Sequence, residues 1–381
     1  GPTTRYLTQY HSERGAVRYH QFDPNNNNTL LHTKIRRFAE TSDGRFWVGG
    51  NAGLSRLNRD TGEVTRLRQQ GGNNFIFNLM PMQSDSNKFW IANGGGLDVF
   101  DTETETYAKI QIRPDSLESE PGVLDIYEDS QNQLLWLGTS EGLIRYNMTD
   151  STSEAFTYNP ADTTSISDDV IFKVTPQDSD PDILWLATQS AGLNRFNTRT
   201  ETATHFTTAD GLADDHIYGL LKDENGTFWM SSNGGLINFD PETFSIRNYG
   251  LDDGLIALEY NQNAYFRSDS GIMYFGSAKG VTAFIPEQLT INERPPQIVL
   301  SDFRLFNKSV IVAPDSPLQQ ALAETETITL NHKQNEVAFD FVALHYTNPN
   351  RNQYRYQLVG YDEDWIDAGT QRTANYTNLS S

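Results

Sequence analysis

Five tryptophans set the metre of the chain. Trp47, Trp90, Trp136, Trp185 and Trp229 recur at spacings of roughly 43 to 49 residues. Each follows a turn-forming segment and precedes a Gly-Leu pair by six or seven positions. The clearest copies lead from Ser42-Asp43-Gly44 through Trp47 to Gly53-Leu54, and from Asp223 through Trp229 to Gly235-Leu236. A sixth copy keeps the frame with Tyr274 in the tryptophan slot and Gly280-Val281 after it. Self-similarity at this period means units that cannot bury their apolar faces alone and must stack.

Within a period the polarity pattern is that of strands. The unit from 168 reads as an alternating run over 170–175, an Asp-rich turn over 177–182, and runs over 183–188, 192–197 and 203–207. Four strands per unit, with no 3.6-residue periodicity, predict a β-propeller blade, and the fold class is all-β. The fixed positions have structural tasks. An Asp-x-x-Gly turn uses a carboxylate to accept backbone N–H groups and a glycine to take positive φ. The tryptophan is an apolar plate between neighbouring blades, with an indole N–H in need of an acceptor.

Residues 1–31 hold two strand-like runs, over 4–10 and 16–22, which resemble the second half of a unit: a partial blade, or closing strands. The six repeats occupy 32–290, so six or seven four-stranded blades are expected. After Ile285-Pro286 the metre stops, and a proline-marked linker covers 290–299. Strand-like runs then fall at 299–306, 310–312, 327–330, 336–343, 353–358 and 365–367, with a loop or helical turn over 316–323. This spacing predicts a small β-sandwich over 291–381, one strand short at its C-terminal end.

These units resemble the two-component regulator propeller repeat. The resemblance rests on Leu135-Trp136-Leu137-Gly138-Thr139 with Gly142-Leu143, on Gly235-Leu236 through Phe239-Asp240, and on Asp252-Asp253-Gly254-Leu255 with Glu259-Tyr260-Asn261. The remainder is similar to the Y_Y_Y domain, through Tyr354-Arg355-Tyr356, Gly360-Tyr361-Asp362, Trp365 and Tyr376-Thr377-Asn378-Leu379. The resemblance implies the periplasmic, ligand-sensing region of a bacterial transmembrane receptor with a histidine kinase or diguanylate cyclase output. It also implies homodimerisation through the sandwich, with membrane attachment only through parent segments beyond this sequence. Gly1-Pro2 reads as a protease-cleavage scar, so the chain is expected to be an excised piece.

Composition narrows the partners. A formal net charge of -21 argues against nucleic acid, because phosphates need neutralising cations, and makes a neutral or cationic ligand the easier guest. With no cysteine there is no disulfide and no thiolate chemistry. No apolar run reaches the length of a membrane span. Seven histidines are scattered without metal-ligand spacing, so neither a metal nor a cofactor is expected. A glycosidase or lyase propeller is the enzymatic alternative, and a protein-interaction scaffold is another. No pair among the abundant carboxylates stands out for glycosidase chemistry, and no catalytic residue is assigned.

Function on a repeat scaffold is expected on loops that vary while the blades do not. The connections between units and the turns between second and third strands emerge on one face. Arg68, Asn74, Arg113, Gln189, His216, Tyr218, Asn233, Tyr260, Asn261 and Asn263 are the candidates there, as hydrogen-bonding and aromatic partners for an oligosaccharide or other small ligand.

Overall fold

The computed structural model describes residues 6–11, 15–41, 43–69, 71–289, 296–344, 349 and 352–379. The start of the run expected over 4–10 and residues 290–295 of the expected linker lie outside them. The chain divides into two compact units, Gly1–Leu289 and Thr290–Ser381.

In the first unit, five antiparallel sheets follow one another, each with four strands in chain order from the axis outward. Blade 1 comprises Ile35–Glu40, Phe46–Gly50, Gly53–Leu57 and Val64–Leu67. Blade 2 comprises Ile76–Pro81, Lys88–Asn93, Gly96–Asp101 and Thr106–Ile110. Blades 3, 4 and 5 begin with the inner strands Val123–Asp129, Ile171–Pro176 and Ile217–Lys222. Blade 6 has three strands, Tyr260–Arg267, Met273–Ser277 and Gly280–Phe284. The ring closes where Arg37 of blade 1 donates to Asn263 Oδ1 at 3.1 Å and Tyr265 Oη at 3.0 Å, both on blade 6. Tyr6–His11 and Ala16–Gln21 form a separate hairpin. Leu7 packs it against Val48, Leu57 and Val64 of blade 1.

The tryptophans are plates between blades. Trp47 meets Phe89 and Phe100 of the next blade edge-on, at centroid distances of 5.9 and 5.2 Å. Trp185 meets Phe228 and Phe239 in the same manner, at 5.5 and 5.0 Å. Both are fully buried, which leaves their indole N–H groups dependent on protein acceptors. Trp185 donates to Gln177 at 3.0 Å and Trp229 to Asp223 at 3.2 Å, each within the turn preceding its own strand, whereas Trp90 reaches Glu128 of the following blade at 3.0 Å. In the Asp223 turn, one carboxylate oxygen accepts the N–H groups of Asn225 and Thr227, and Gly226 takes φ 84°. Where the third unit lacks that glycine, Gln133 takes φ 56° instead. Glycine before the third strand has a second reason besides φ. A Cβ at Gly192 would lie 2.0 Å from the Phe206 carbonyl oxygen, and one at Gly235 would lie 2.1 Å from that of Tyr249.

The second unit is built on a four-stranded sheet in the order Lys308–Ser309, Ile298–Leu305, Val337–Ala343, Thr373–Tyr376. A two-stranded sheet, Tyr354–Tyr356 with Ile366–Gly369, accompanies it. The core holds Phe303, Phe341, Tyr354 and Tyr376. Two expected strands are corrected here: 310–312 and 327–330 join no ladder. Their apolar residues Val310, Ile328 and Leu330 still pack on the core, which is what made the runs look like strands. The tyrosines that mark this unit have fixed polar ends. Tyr354 Oη accepts the Ala343 N–H at 3.1 Å, Tyr376 donates to Asp362 at 2.7 Å, and Tyr361 donates to the Thr377 carbonyl at 2.9 Å.

Candidate functional site

Five inner strands of the propeller share an irregularity. In each, one residue is extra to the ladder between the first and third positions: Arg36, Phe77, Leu124, Phe172 and Tyr218. A β-bulge of this kind re-aims a side chain and ends regular pairing at a rim. Blade 6 has a longer irregularity between Tyr260 and Tyr265, with Asn263 at φ 62°. The five bulged residues stand at the same register on successive inner strands and form a collar around the axis. Neighbours in it touch: Phe172 stacks with Tyr218 at 6.1 Å, and the Arg36 guanidinium lies 5.1 Å from the Phe77 centroid and 4.4 Å from that of Phe75. Arg36 Nε is held by Asn51 at 2.8 Å, and the Tyr218 hydroxyl donates to Asn233 at 2.9 Å. Leu124 and Phe172 are buried within the collar, and its partly exposed members are Arg36, Phe77 and Tyr218, an aromatic and polar combination suited to a small ligand.

One residue further along the same strands lies a polar layer of Arg37, Asn78, Asp125 and Lys173. Asp125 is fully buried and accepts from Asn78 Nδ2 at 2.7 Å, Lys173 Nζ at 2.9 Å and the Val174 N–H at 2.9 Å. Gly219 occupies this position in blade 5, and the Tyr265 ring fills the space: a Cβ at Gly219 would fall 2.0 Å from it. Burial works against the charge of Lys173, and Asp125 outweighs it, so the ammonium pKa lies above its ordinary value. The layer is a hydrogen-bonded network one position along the inner strands from the collar.

The sequence candidates fall into three groups. Tyr218 and Asn233 come together at the collar. Tyr260 and Asn263 are buried: Tyr260 shares a hydrogen bond with Thr282 at 2.9 Å, and Asn263 joins Arg37 to the Phe77 carbonyl, to which its amide donates at 3.2 Å. Asn261 lies within the blade 6 irregularity. The remaining candidates are distributed over separate loops. Asn74 is engaged with the backbone of Gln69 and Gly72, and Arg113 with the Leu117 carbonyl. His216 sits 3.3 Å from Asp214, while Arg68 and Gln189 are exposed. The connections and hairpin turns do share one face, since Gly94 N bonds Phe75 O, Gln189 N bonds Val170 O and Gly235 N bonds Leu258 O. Sequence reading missed Arg36, Phe77, Leu124 and Phe172. Their signal was the β-branched residue before each bulge (Ile35, Ile76, Val123, Ile171, Ile217), followed two positions later by a residue that breaks the apolar alternation.

Asp98, on the third strand of blade 2, is buried against Asn93 and Gln69, whose amides donate to it at 2.6 and 3.3 Å. Burial pushes its carboxyl pKa up, against the lowering by Gln69 and Lys109. A raised native pKa means that the folded chain binds this proton more tightly than the unfolded one, so the group weakens stability near neutrality and ceases to as pH falls. The stability of Asp98→Asn relative to wild type is therefore expected to decline between pH 7 and about pH 4 in urea melts. A pH-independent difference would refute this.

Among the described residues no group of three or more potential ligands is placed to hold a metal, and no helix is long and apolar enough to cross a membrane.

Comparison with known families bears directly on these two units. Residues 211–234 match the family Two component regulator propeller, and residues 345–381 match the Y_Y_Y domain. One match falls in each unit, the propeller repeat in the first and the Y_Y_Y domain in the second. Among curated proteins, Histidine kinase P4 of Formosa agariphila is 28% identical over 97% of this chain and 28% of its own length. The extracellular domain of BT4673 from B. thetaiotaomicron, described as a one-component system, superposes with a TM-score of 0.50 at 18% identity, covering 99% of this chain and 63% of that one. A second structure of that extracellular domain, described there as part of a hybrid two-component system, gives 0.46 at 17% identity, with coverage of 98% and 63%. The chain thus spans 28% of the kinase it resembles, and the first of the two superpositions supports the all-β fold.

Proposed function

We propose that this propeller and Y_Y_Y domain form the ligand-sensing part of a bacterial transmembrane receptor of the two-component type, facing the periplasm. The observation that carries the reading is the collar: aligned bulges at one register of five successive inner strands, with Arg36, Phe77 and Tyr218 partly exposed. The ligand is a carbohydrate or other small molecule, held by ring faces and oriented by the Tyr218–Asn233 pair. The histidine kinase relative and the extracellular domain of similar fold support the reading. Transmission proceeds by rearrangement of two protomers through the Y_Y_Y domain, a change driven only by differential affinity of the ligand for the two arrangements.

A thermal-shift screen against oligosaccharide fragments tests the proposal. A ligand present at about 100 times its Kd stabilises the native state by about 2.7 kcal/mol, which reads as a rise in Tm. The proposal expects a selective rise without product formation. Turnover of an oligosaccharide would assign the chain to carbohydrate-active enzymes, and a flat response across the panel would leave the collar without its ligand class.

A further inference from the structure

Between blades 1 and 6 lies a cavity of about 630 Å³. Its walls are Phe38, Phe46, Phe266, Tyr274 and Val281. Three of these are conspicuously open for side chains of their kind: Phe38 is 46% exposed, Phe266 62% and Val281 62%. Arg36 and Arg37 line the same cavity.

Among the described residues neither of these arginines is in an ion pair, a state they share with Arg18, Arg66 and Arg113, which bond backbone carbonyls instead. With 50 acidic residues against 29 basic ones, a carboxylate is rarely far away. Arg45, Arg56, Arg59, Arg145, Arg199 and Arg267 each pair with one. Arg36 instead bonds the amide oxygen of Asn51, and Arg37 bonds an amide oxygen and a phenol. The Nε of Arg37 is sealed from solvent and bonds nothing. Two carboxylates are near. Asp125 is already engaged by Lys173, Asn78 and Val174, and Glu40 on the cavity rim is paired with Arg59. Asp125 supports the Arg37 charge through space without a direct hydrogen bond, and a guanidinium with an unbonded N–H matches a planar carboxylate in shape and hydrogen-bond geometry.

We propose that the seam between blades 1 and 6 is a binding site for a small ring carboxylate, with the acid group on Arg36 and Arg37 and the ring against Phe266 and Tyr274. The chain's overall negative charge sets no bar, because the local field at this cavity is that of two arginines facing a carboxylate already neutralised by Lys173. A ring carboxylate has two sources, an aromatic acid or a uronic acid, and benzoate and D-glucuronate serve as their probes. The site stands apart from the collar reading except that Arg36 borders both.

Isothermal titration with each acid and its neutral counterpart, benzyl alcohol or D-glucose, tests this. Saturable binding of at least one acid is expected, at least tenfold tighter than its counterpart. Binding of benzoate alone would identify the aromatic source, and binding of glucuronate alone the sugar source. Arg36→Gln and Phe266→Ala should each weaken the acid at least tenfold, while Tyr218→Ala, at the collar only, leaves it unchanged. These surface-accessible positions avoid the folding risk of changing Arg37. Equal binding of acid and neutral probe, no binding of either acid, or indifference to both Arg36→Gln and Phe266→Ala would overturn the proposal. Loss of glycan binding in Tyr218→Ala with acid binding intact would separate the two sites.

Discussion

Replacing Trp185 by alanine lowers the melting temperature of the propeller by about 10 °C. The indole is fully buried and touches Phe206, Phe228, Phe239 and Phe244, so it joins blades 4 and 5 as well as filling its own. Truncating a buried tryptophan costs about 3–5 kcal/mol through lost transfer energy and a cavity that rigid sheets on either side cannot close. For a unit of this size each kcal/mol shifts Tm by about 2–4 °C. Trp185→Phe, which keeps a ring but abandons the Gln177 hydrogen bond, should lose clearly less. Differential scanning calorimetry of both variants decides the matter: equal losses would mean that the hydrogen bond to Gln177 matters more than the plate.

The second large effect is expected at Asp125. Asp125→Ala strands the Lys173 ammonium, the Asn78 amide and the Val174 N–H in the polar layer, and breaking a buried ion pair on one side costs about 3–5 kcal/mol. Lys173→Met leaves the opposite charge uncompensated and should cost a similar amount. The double variant should lose less than the sum of the two, by more than about 0.5 kcal/mol, because residues that share a network are coupled. The sign with pH follows from Lys173. A lysine with a raised native pKa contributes stability in full below its unfolded pKa and loses it only as pH rises through the native value. The Asp125→Ala penalty should therefore hold through neutrality and shrink in strong alkali. Strict additivity in urea melts would show that the two side chains do not depend on each other.

Much of the scaffold is legible in the residues. The tryptophan metre and the Gly-Leu pairs locate the sheets because they answer to local demands, a plate between blades and a backbone that passes close to a carbonyl. Sites that depend on the ring as a whole are not legible in that way. Gly219 looks like any strand glycine until Tyr265, from a different blade, is seen filling the place of its side chain. Asn263 reads as a loop hydrogen-bonding residue, yet ring closure buries it and commits its amide to Arg37 and Phe77. Phe172 is buried, and nothing local in the sequence announces that its ring stacks on Tyr218 of the next blade at the extra position in the ladder. In the second unit, Val310, Ile328 and Leu330 show the converse: apolar residues can pack on a core without pairing, so a short β-branched run is a weak sign of a strand.

The most direct test of the sensing account is calorimetric titration of the best glycan from the thermal-shift screen into wild type and into the double variant Phe172→Ala/Tyr218→Ala. The two rings are partners in the collar, and losing a stacked aromatic pair should remove about 1–3 kcal/mol of binding, or roughly 5- to 150-fold in Kd. The account predicts that loss in a variant that still melts cooperatively, at a lower midpoint because Phe172 is buried. An unaltered Kd in the folded double variant would contradict it.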